Sequence, residues 1–324
     1  MILKPFDLAS PLHHAAAASV WTAACGADLT ISARFVSYNV QPGAGKVQAG
    51  RLVYLDDAGA EPEAAGFALA SALPGDALAD SPGTGHIDAI VVTPAAQRRG
   101  AGSALLAWAE GWLREQGCTH IILGASQRPF VPGVPAELGT ARFFQQQGYL
   151  PNPGHAVVWD MAHDLRDYVT PPTALKARGV VARPARPGDE EALLGFLRRE
   201  FPGGWRYEAE ELLRAGLRIS DYVLLWSERG VDGCCLVTLE DSLRPMDRFY
   251  PYRLPRPWGQ LGSIGISADR RGLGYGAALL DGSLRHLRDN GVRGCIIDWL
   301  VLVDFYARFG FCKFRQYGMM SKKV

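Results

Sequence analysis

The chain has 324 residues, ordinary apolar and charged content and a formal net charge of +1, which fits two globular domains of about 150 residues each. That balance leaves no basic footprint for nucleic acid or an anionic membrane, and no apolar run reaches the roughly 18 to 20 residues that span a bilayer. Cys25, Cys118, Cys234, Cys235, Cys295 and Cys312 show no C-x-x-C spacing, so they are expected as reduced core thiols of a cytoplasmic protein, with no metal site. The opening residues carry no basic segment followed by a long apolar core, so no secretory signal is expected.

In chain order, residues 2–7 read as an edge strand and 12–24 and 29–38 as helices. Residues 51–55 and 66–72 read as strands joined by an Asp/Gly/Pro turn at 56–63, followed by a looser stretch at 73–85. Residues 86–93 read as a strand. Residues 100–116 carry a helical stripe of Leu105, Leu106, Trp108, Ala109, Trp112 and Leu113. A strand at 118–123, a proline-rich loop at 124–139, a short helix at 140–147 and a strand at 156–161 close the half. Residues 167–179, with Pro171-Pro172, read as a linker between domains spanning 1–166 and 180–324.

The pattern then restarts. A strand at 180–183 precedes a helix at 190–200, with Asp189 as its N-cap, and a second helix covers 207–217. Strands at 222–226 and 233–239 form a hairpin-like pair. A long proline-rich, aromatic stretch at 240–258 leads to a strand at 260–267, a helix at 274–290, a strand at 294–298, a short helix at 303–309 and a final strand at 313–319. The matching order argues for duplicated domains rather than a solenoid.

A glycine-rich stretch anchors the repeat. Val92 lies in the first motif strand ahead of Gln97-Arg98-Arg99-Gly100-Ala101-Gly102, and Ile266 in the second ahead of Arg271-Gly272-Leu273-Gly274-Tyr275-Gly276. A helix that starts directly after a strand exposes unpaired amides at the positive end of its dipole, and close glycines let a phosphate approach them. Gly272-x-Gly274-x-x-Ala277, with Asp298 about 20 residues on, also fits a tolerant dinucleotide fingerprint. Three features weigh against that reading: the first copy has Leu105 at the third glycine position and no acid after Leu123, the second copy starts too late for a doubly wound sheet, and such a fingerprint normally lacks an Arg-Arg pair before its first glycine.

The two stretches resemble the pyrophosphate-binding motif Gln/Arg-x-x-Gly-x-Gly/Ala of the GNAT superfamily of N-acetyltransferases. That family's second signature appears as Phe305-Tyr306-Ala307-Arg308-Phe309-Gly310-Phe311. Within the family, Phe201-Pro202-Gly203-Gly204-Trp205, Leu261-Gly262-Ser263-Ile264-Gly265-Ile266 and Ile296-Ile297-Asp298-Trp299 are similar to tandem-domain glucosamine and glucosaminide N-acetyltransferases. The resemblance implies an α/β protein of two tandem α+β domains, each a mostly antiparallel mixed sheet flanked by helices. It also implies acetyl-CoA as donor and a primary amine of a small molecule, an amino sugar among the candidates, as acceptor. Aminoglycosides, polyamines, peptide amines and a non-catalytic CoA-binding regulator remain alternatives, and nothing fixes the oligomeric state.

The implied cofactor-binding residues are the two motif stretches with Val92 and Ile266. Tyr306 stands at the family's tyrosine position, where a phenol can protonate a departing thiolate. Asp298 is the candidate base, with Glu240 and Asp241 as weaker candidates. Trp205, Tyr250 and Trp299 are candidates for stacking on an acceptor ring, with Tyr207 and Tyr252 behind them. In the first half Phe144 replaces the tyrosine, so catalysis is expected in the second half. His86 and Asp88 share a strand face with Val92, but Gln260 and Gly262 stand at their positions in the second copy.

Overall fold

The computed structural model describes residues 1–55, 63–73 and 82–324; the turn expected at 56–63 and most of the stretch at 73–85 lie outside the described residues. The chain forms two compact units. One comprises Met1–Val158 with Arg315–Val324, the other Trp159–Phe314, so the boundaries differ from 1–166 and 180–324 at both ends of the second half.

In the first unit, β1 (Ile2–Pro5), β2 (Val47–Tyr54), β3 (Ala64–Ala72) and β4 (Thr84–Val92) run antiparallel to their neighbours, and β5 (His120–Leu123) lies parallel to β4. Helices α1 (Pro11–Cys25), α2 (Ala33–Asn39), α3 (Ala101–Glu115) and α4 (Ala141–Gln146) complete it, with the two-residue strands β6 (Val134–Pro135) and β7 (Leu150–Pro151). The helix expected at 29–38 begins later because Ser32 caps α2, its hydroxyl accepting the Phe35 amide at 3.1 Å. The α3 stripe is buried as its spacing requires, at Leu105, Leu106, Ala109 and Leu113.

The second unit repeats the scheme. Its sheet contains β8 (Val157–Asp164), β9 (Val181–Pro184), β10 (Tyr222–Ser227), β11 (Gly230–Leu239), β12 (Trp258–Ile266) and β13 (Gly294–Leu300). Helices α5 (Glu190–Glu200), α6 (Gly204–Arg214), α7 (Tyr275–Asp289) and α8 (Val303–Ala307) pack with it. Asp189 does not cap α5. Its carboxylate accepts from the Arg186 amide at 2.8 Å and pairs with Arg183 at 2.7 Å.

The last strands differ from expectation. The strand that should close the first half, β8, pairs antiparallel with β13. The chain ends not in one strand but in two, β14 (Cys312–Gly318) and β15 (Met320–Lys323), and β15 lies between β5 and β7 of the first sheet. The first sheet therefore receives β15 from the second half of the sequence, and the second sheet receives β6 and β8 from the first. Lys322 fastens β15 by reaching both oxygens of the buried Glu110 on α3, at 2.9 and 3.0 Å. Four of the six cysteines are buried; Cys25 is half-buried and Cys312 exposed. No helix among the described residues is long and apolar enough to cross a membrane.

Candidate active site

In the second unit, β12 and β13 pair in parallel from Trp258↔Gly294 to Leu261↔Ile297, where the register ends. On its other edge β12 is bulged against β11 between Leu236↔Gly262 and Cys234↔Gly265, and Ser263 adopts φ +44°. Strained, irregular backbone of this kind needs surrounding structure to hold it. The strand pair thus parts beside Gly262–Ile266, leaving an opening at which β12 offers backbone groups that no β13 residue pairs.

Past Ile266 the turn is anchored from three sides. The Ser267 hydroxyl donates to Asp232 at 2.7 Å, Glu200 accepts the Ala268 amide at 3.0 Å, and Arg229 bridges Asp232 and Asp269. Burial pushes the Asp232 carboxyl up, but the hydrogen bonds it accepts from Arg229, Ser227 and Ser267 together outweigh that and hold it at about 2. Gly272 and Gly274 take φ +81° and +84°, and α7 starts. Among the described residues the amides of Tyr275, Gly276 and Ala277 have no hydrogen-bond partner, the geometry that receives a phosphate. A Cβ at Gly276 would stand in ordinary contact with the Phe305 ring, 3.9 Å from its Cζ. These residues fit the pyrophosphate of CoA.

At the opening itself, Gln260 donates from Nε2 to Asp298 Oδ1 at 2.7 Å. Gln260 Oε1 accepts from Arg244 at 2.6 Å and from Thr238 at 2.9 Å, and Arg244, itself buried, pairs with Glu208 at 3.0 Å. Ser263 donates to the other Glu208 oxygen at 2.9 Å. A Cβ on Gly262 would lie 2.6 Å from Gln260 Nε2, so glycine there leaves room for the Gln260–Asp298 bond. Burial raises the Asp298 carboxyl, against the pull of Arg248, Arg244 and the Gln260 hydrogen bond. Tyr306 on α8 is buried, and its phenol is raised by burial first, then by Cys235 and Asp298. It therefore stays protonated, but it is a weaker acid than a free tyrosine.

The candidate acceptor-stacking residues separate. Trp205 lies against Phe201 with centroids 4.5 Å apart, both over Gly265. Trp299 is partly exposed, adopts φ +58° and donates its amide to the buried Asp160 at 3.1 Å. Tyr250 is fully buried, which makes it a core residue rather than a face for an acceptor ring; an aromatic in a loop sequence does not reveal its burial. Tyr252 packs edge-on against Trp258 and Tyr207 is buried in α6. Glu240 and Asp241, the weaker base candidates, are bound to Arg256 and Arg218. Sequence reasoning missed Glu208 and Arg244, which come from a helix and an irregular loop with no motif.

The first unit repeats the cradle. Gly100 takes φ +84°, and Arg98, at the position of Gly272, takes φ +62°. The amides of Ala101, Gly102 and Ser103 are likewise unpaired among the described residues, and Phe143 faces Gly102 as Phe305 faces Gly276. Gln97 reaches back to the Val92 carbonyl at 3.3 Å, while Arg98 and Arg99 are exposed. The proton-handling positions are different. Gly124 and Ala125 (φ +56°) stand where Asp298 and Trp299 stand, and Phe144 is buried in place of Tyr306. His86 Nδ1 lies 2.9 Å from the Gly124 carbonyl, and Asp88 is buried, accepting from Ser71 and Gln48. A β-bulge at Asp88 breaks the alternation on which a face shared with Val92 depended.

Parted parallel strands, a bulged motif strand and a glycine cradle at the following helix, built twice, define the class: a tandem acetyltransferase fold. The acetyltransferase (GNAT) family matches residues 37–149 and 191–311, and the chain belongs to that family. It is 30% identical over 245 residues to a mycothiol acetyltransferase of Geodermatophilus obscurus, covering 71% of this chain and 72% of that one. A second mycothiol acetyltransferase, from Actinosynnema mirum, is 25% identical over 252 residues, or 75% of this chain and 78% of that one. Among solved structures, a glucosamine N-acetyltransferase region of a fungal multi-domain β-N-acetylglucosaminidase superposes with a TM-score of 0.83 at 23% identity. It covers 99% of this chain, which spans only 38% of that longer protein. A tandem GNAT protein from the clavulanic acid biosynthesis pathway superposes at 0.69 with 14% identity, covering 99% and 98%. Those two likenesses establish the fold. The protein is an acetyltransferase of a family that uses acetyl-CoA, and no group of side chains among the described residues is arranged to hold a metal.

Proposed function

We propose that the chain transfers the acetyl group of acetyl-CoA to a primary amine of a small molecule, with an amino sugar such as glucosamine as acceptor, and that the second unit performs the reaction. The carrying observation is the pair Asp298 and Tyr306 beside the opening of β12 and β13, against Gly124 and Phe144 in the first unit. In this reading Arg271–Gly276 hold the pyrophosphate, and the β12 backbone near Ile266 polarises the thioester carbonyl. Asp298, raised by burial, is a stronger base than an exposed carboxylate and takes a proton from the incoming ammonium. The nitrogen–carbon bond forms as the carbon–sulfur bond breaks, and Tyr306 gives its proton to the departing sulfur. An ammonium loses two protons on becoming an amide. One passes through Asp298 to solvent, and the other restores Tyr306. The first unit keeps its cradle, Gln97–Gly102, as a CoA site without the proton-handling pair.

The named relatives favour a second acceptor, unacetylated mycothiol. Incubating the full chain with acetyl-CoA and a panel of glucosamine, aminoglycosides, polyamines and peptide amines, and following free thiol, tests the proposal. The highest kcat/KM is expected for glucosamine. A faster polyamine or peptide amine moves the acceptor elsewhere, and no thiol released with any amine overturns the reading.

A further inference from the structure

Residues 165–178 of the second unit lie along α7 and do not hang free between domains. Leu165, Tyr168 and Ala174 are buried in the same core cluster as Leu280, Leu284 and Leu287. The Tyr168 hydroxyl donates to Asp281 at 2.9 Å, and Arg288 donates to the Tyr168 carbonyl at 3.2 Å. So pinned, the segment runs along the helix to its start. A Cβ on Gly274 would meet the Ala177 amide nitrogen at 3.3 Å and the Cβ atoms of Ala177 and Lys176 at 3.6 Å. The first cradle has no such neighbour: nothing lies within 4 Å of the corresponding point on Gly100.

Charge accounting gives the contact a purpose. In the second cradle Arg229 is committed to Asp232 and Asp269 at 2.6 and 2.7 Å and Arg199 is paired with Glu200, while Arg270 lies looser beside the same two carboxylates, at 3.8 and 3.9 Å. Arg271 is exposed and makes no ion pair among the described residues. Lys176 and Arg178 are exposed and make no ion pair or hydrogen bond among the described residues. A lysine is a point charge on a flexible four-carbon stem, and Lys176 is rooted beside the glycine at which the unpaired amides begin.

We propose that Lys176 is a phosphate-binding residue of the second cradle, an arm supplied by the segment at 165–178 that binds a phosphate of the nucleotide end of CoA and makes this cradle the tighter of the two. The proposal rests on the reading of the second cradle as a CoA site. Calorimetric titration of the full chain with CoA, 3′-dephospho-CoA and pantetheine tests it. Lys176→Gln should weaken CoA at the tighter site about tenfold, the low end for a hydrogen bond to a charged group, and leave pantetheine binding and the ligand-free melting temperature unchanged. Lys176→Arg should restore most of the affinity. A penalty that persists with 3′-dephospho-CoA assigns the pyrophosphate; one that vanishes assigns the 3′-phosphate. CoA bound equally tightly by the wild type and Lys176→Gln overturns the arm alone, as does equal weakening of pantetheine. A wild-type chain that binds no CoA overturns both this and the reading of the cradle.

Discussion

Gln260 and His86 occupy equivalent positions on the two motif strands, and what each reaches distinguishes the units. Gln260 meets a carboxylate, Asp298; His86 meets the backbone carbonyl of Gly124. Tyr306→Phe should lower kcat about 10² to 10⁴-fold with little change in CoA affinity, whereas Phe144→Leu should leave turnover alone; steady-state kinetics on both variants decides it. Asp298 supplies a test by pH. Its folded pKa is raised, so any stability it contributes is present below the ordinary carboxylate range and lost as pH rises through the raised value. Catalysis by the ionised base runs the opposite way and falls as pH drops through that value. Asp298→Asn should therefore abolish the acidic limb of the kcat profile while melting no lower than wild type at neutral pH. An unchanged acidic limb would remove Asp298 as the base.

At the scale of elements, Gly265 sets how closely the aromatic pair approaches the motif strand. A Cβ there would lie 2.5 Å from Phe201 Cζ and 2.7 Å from Trp205 Cζ3. Gly265→Ala should cost about 1–3 kcal/mol by overpacking, read by denaturant unfolding, and Trp205→Leu in the same chain should recover part of the loss. The cradles were legible because everything they need is local: a strand end, close glycines and a helix stripe within about 20 residues. The tyrosine and its absence were legible for the same reason. The carboxylate–guanidinium network was not, since Glu208, Arg244, Gln260 and Asp298 meet only after a helix, a loop and two strands have packed. Tyr250 misled because burial of a loop aromatic depends on partners that the local pattern does not name. The pairing partners of β8 and β15 were invisible too, because alternating residues suit either sheet edge equally well.

For the whole molecule, duplication predicts the order of elements but not which sheet each one completes. A chain ending at Phe314 loses β15 and leaves the β5 edge, with its row of unpaired amides and carbonyls, open. It also loses the buried side chains of Tyr317, Met319 and Met320, each worth about 1.5–3 kcal/mol when fully covered. Such a chain should melt lower and aggregate, and a synthetic peptide of residues 312–324 added in trans should restore solubility. A truncated chain with wild-type melting behaviour would show the strand to be dispensable. The placement of β15 also sets a schedule during synthesis. The first unit cannot close its sheet until residues 320–323 have left the ribosome, which at about 5–20 residues per second follows the rest of that unit by on the order of ten to thirty seconds. Throughout that interval β5 is an open edge on a nascent chain, so the period of greatest exposure to misassociation belongs to the half that is made first.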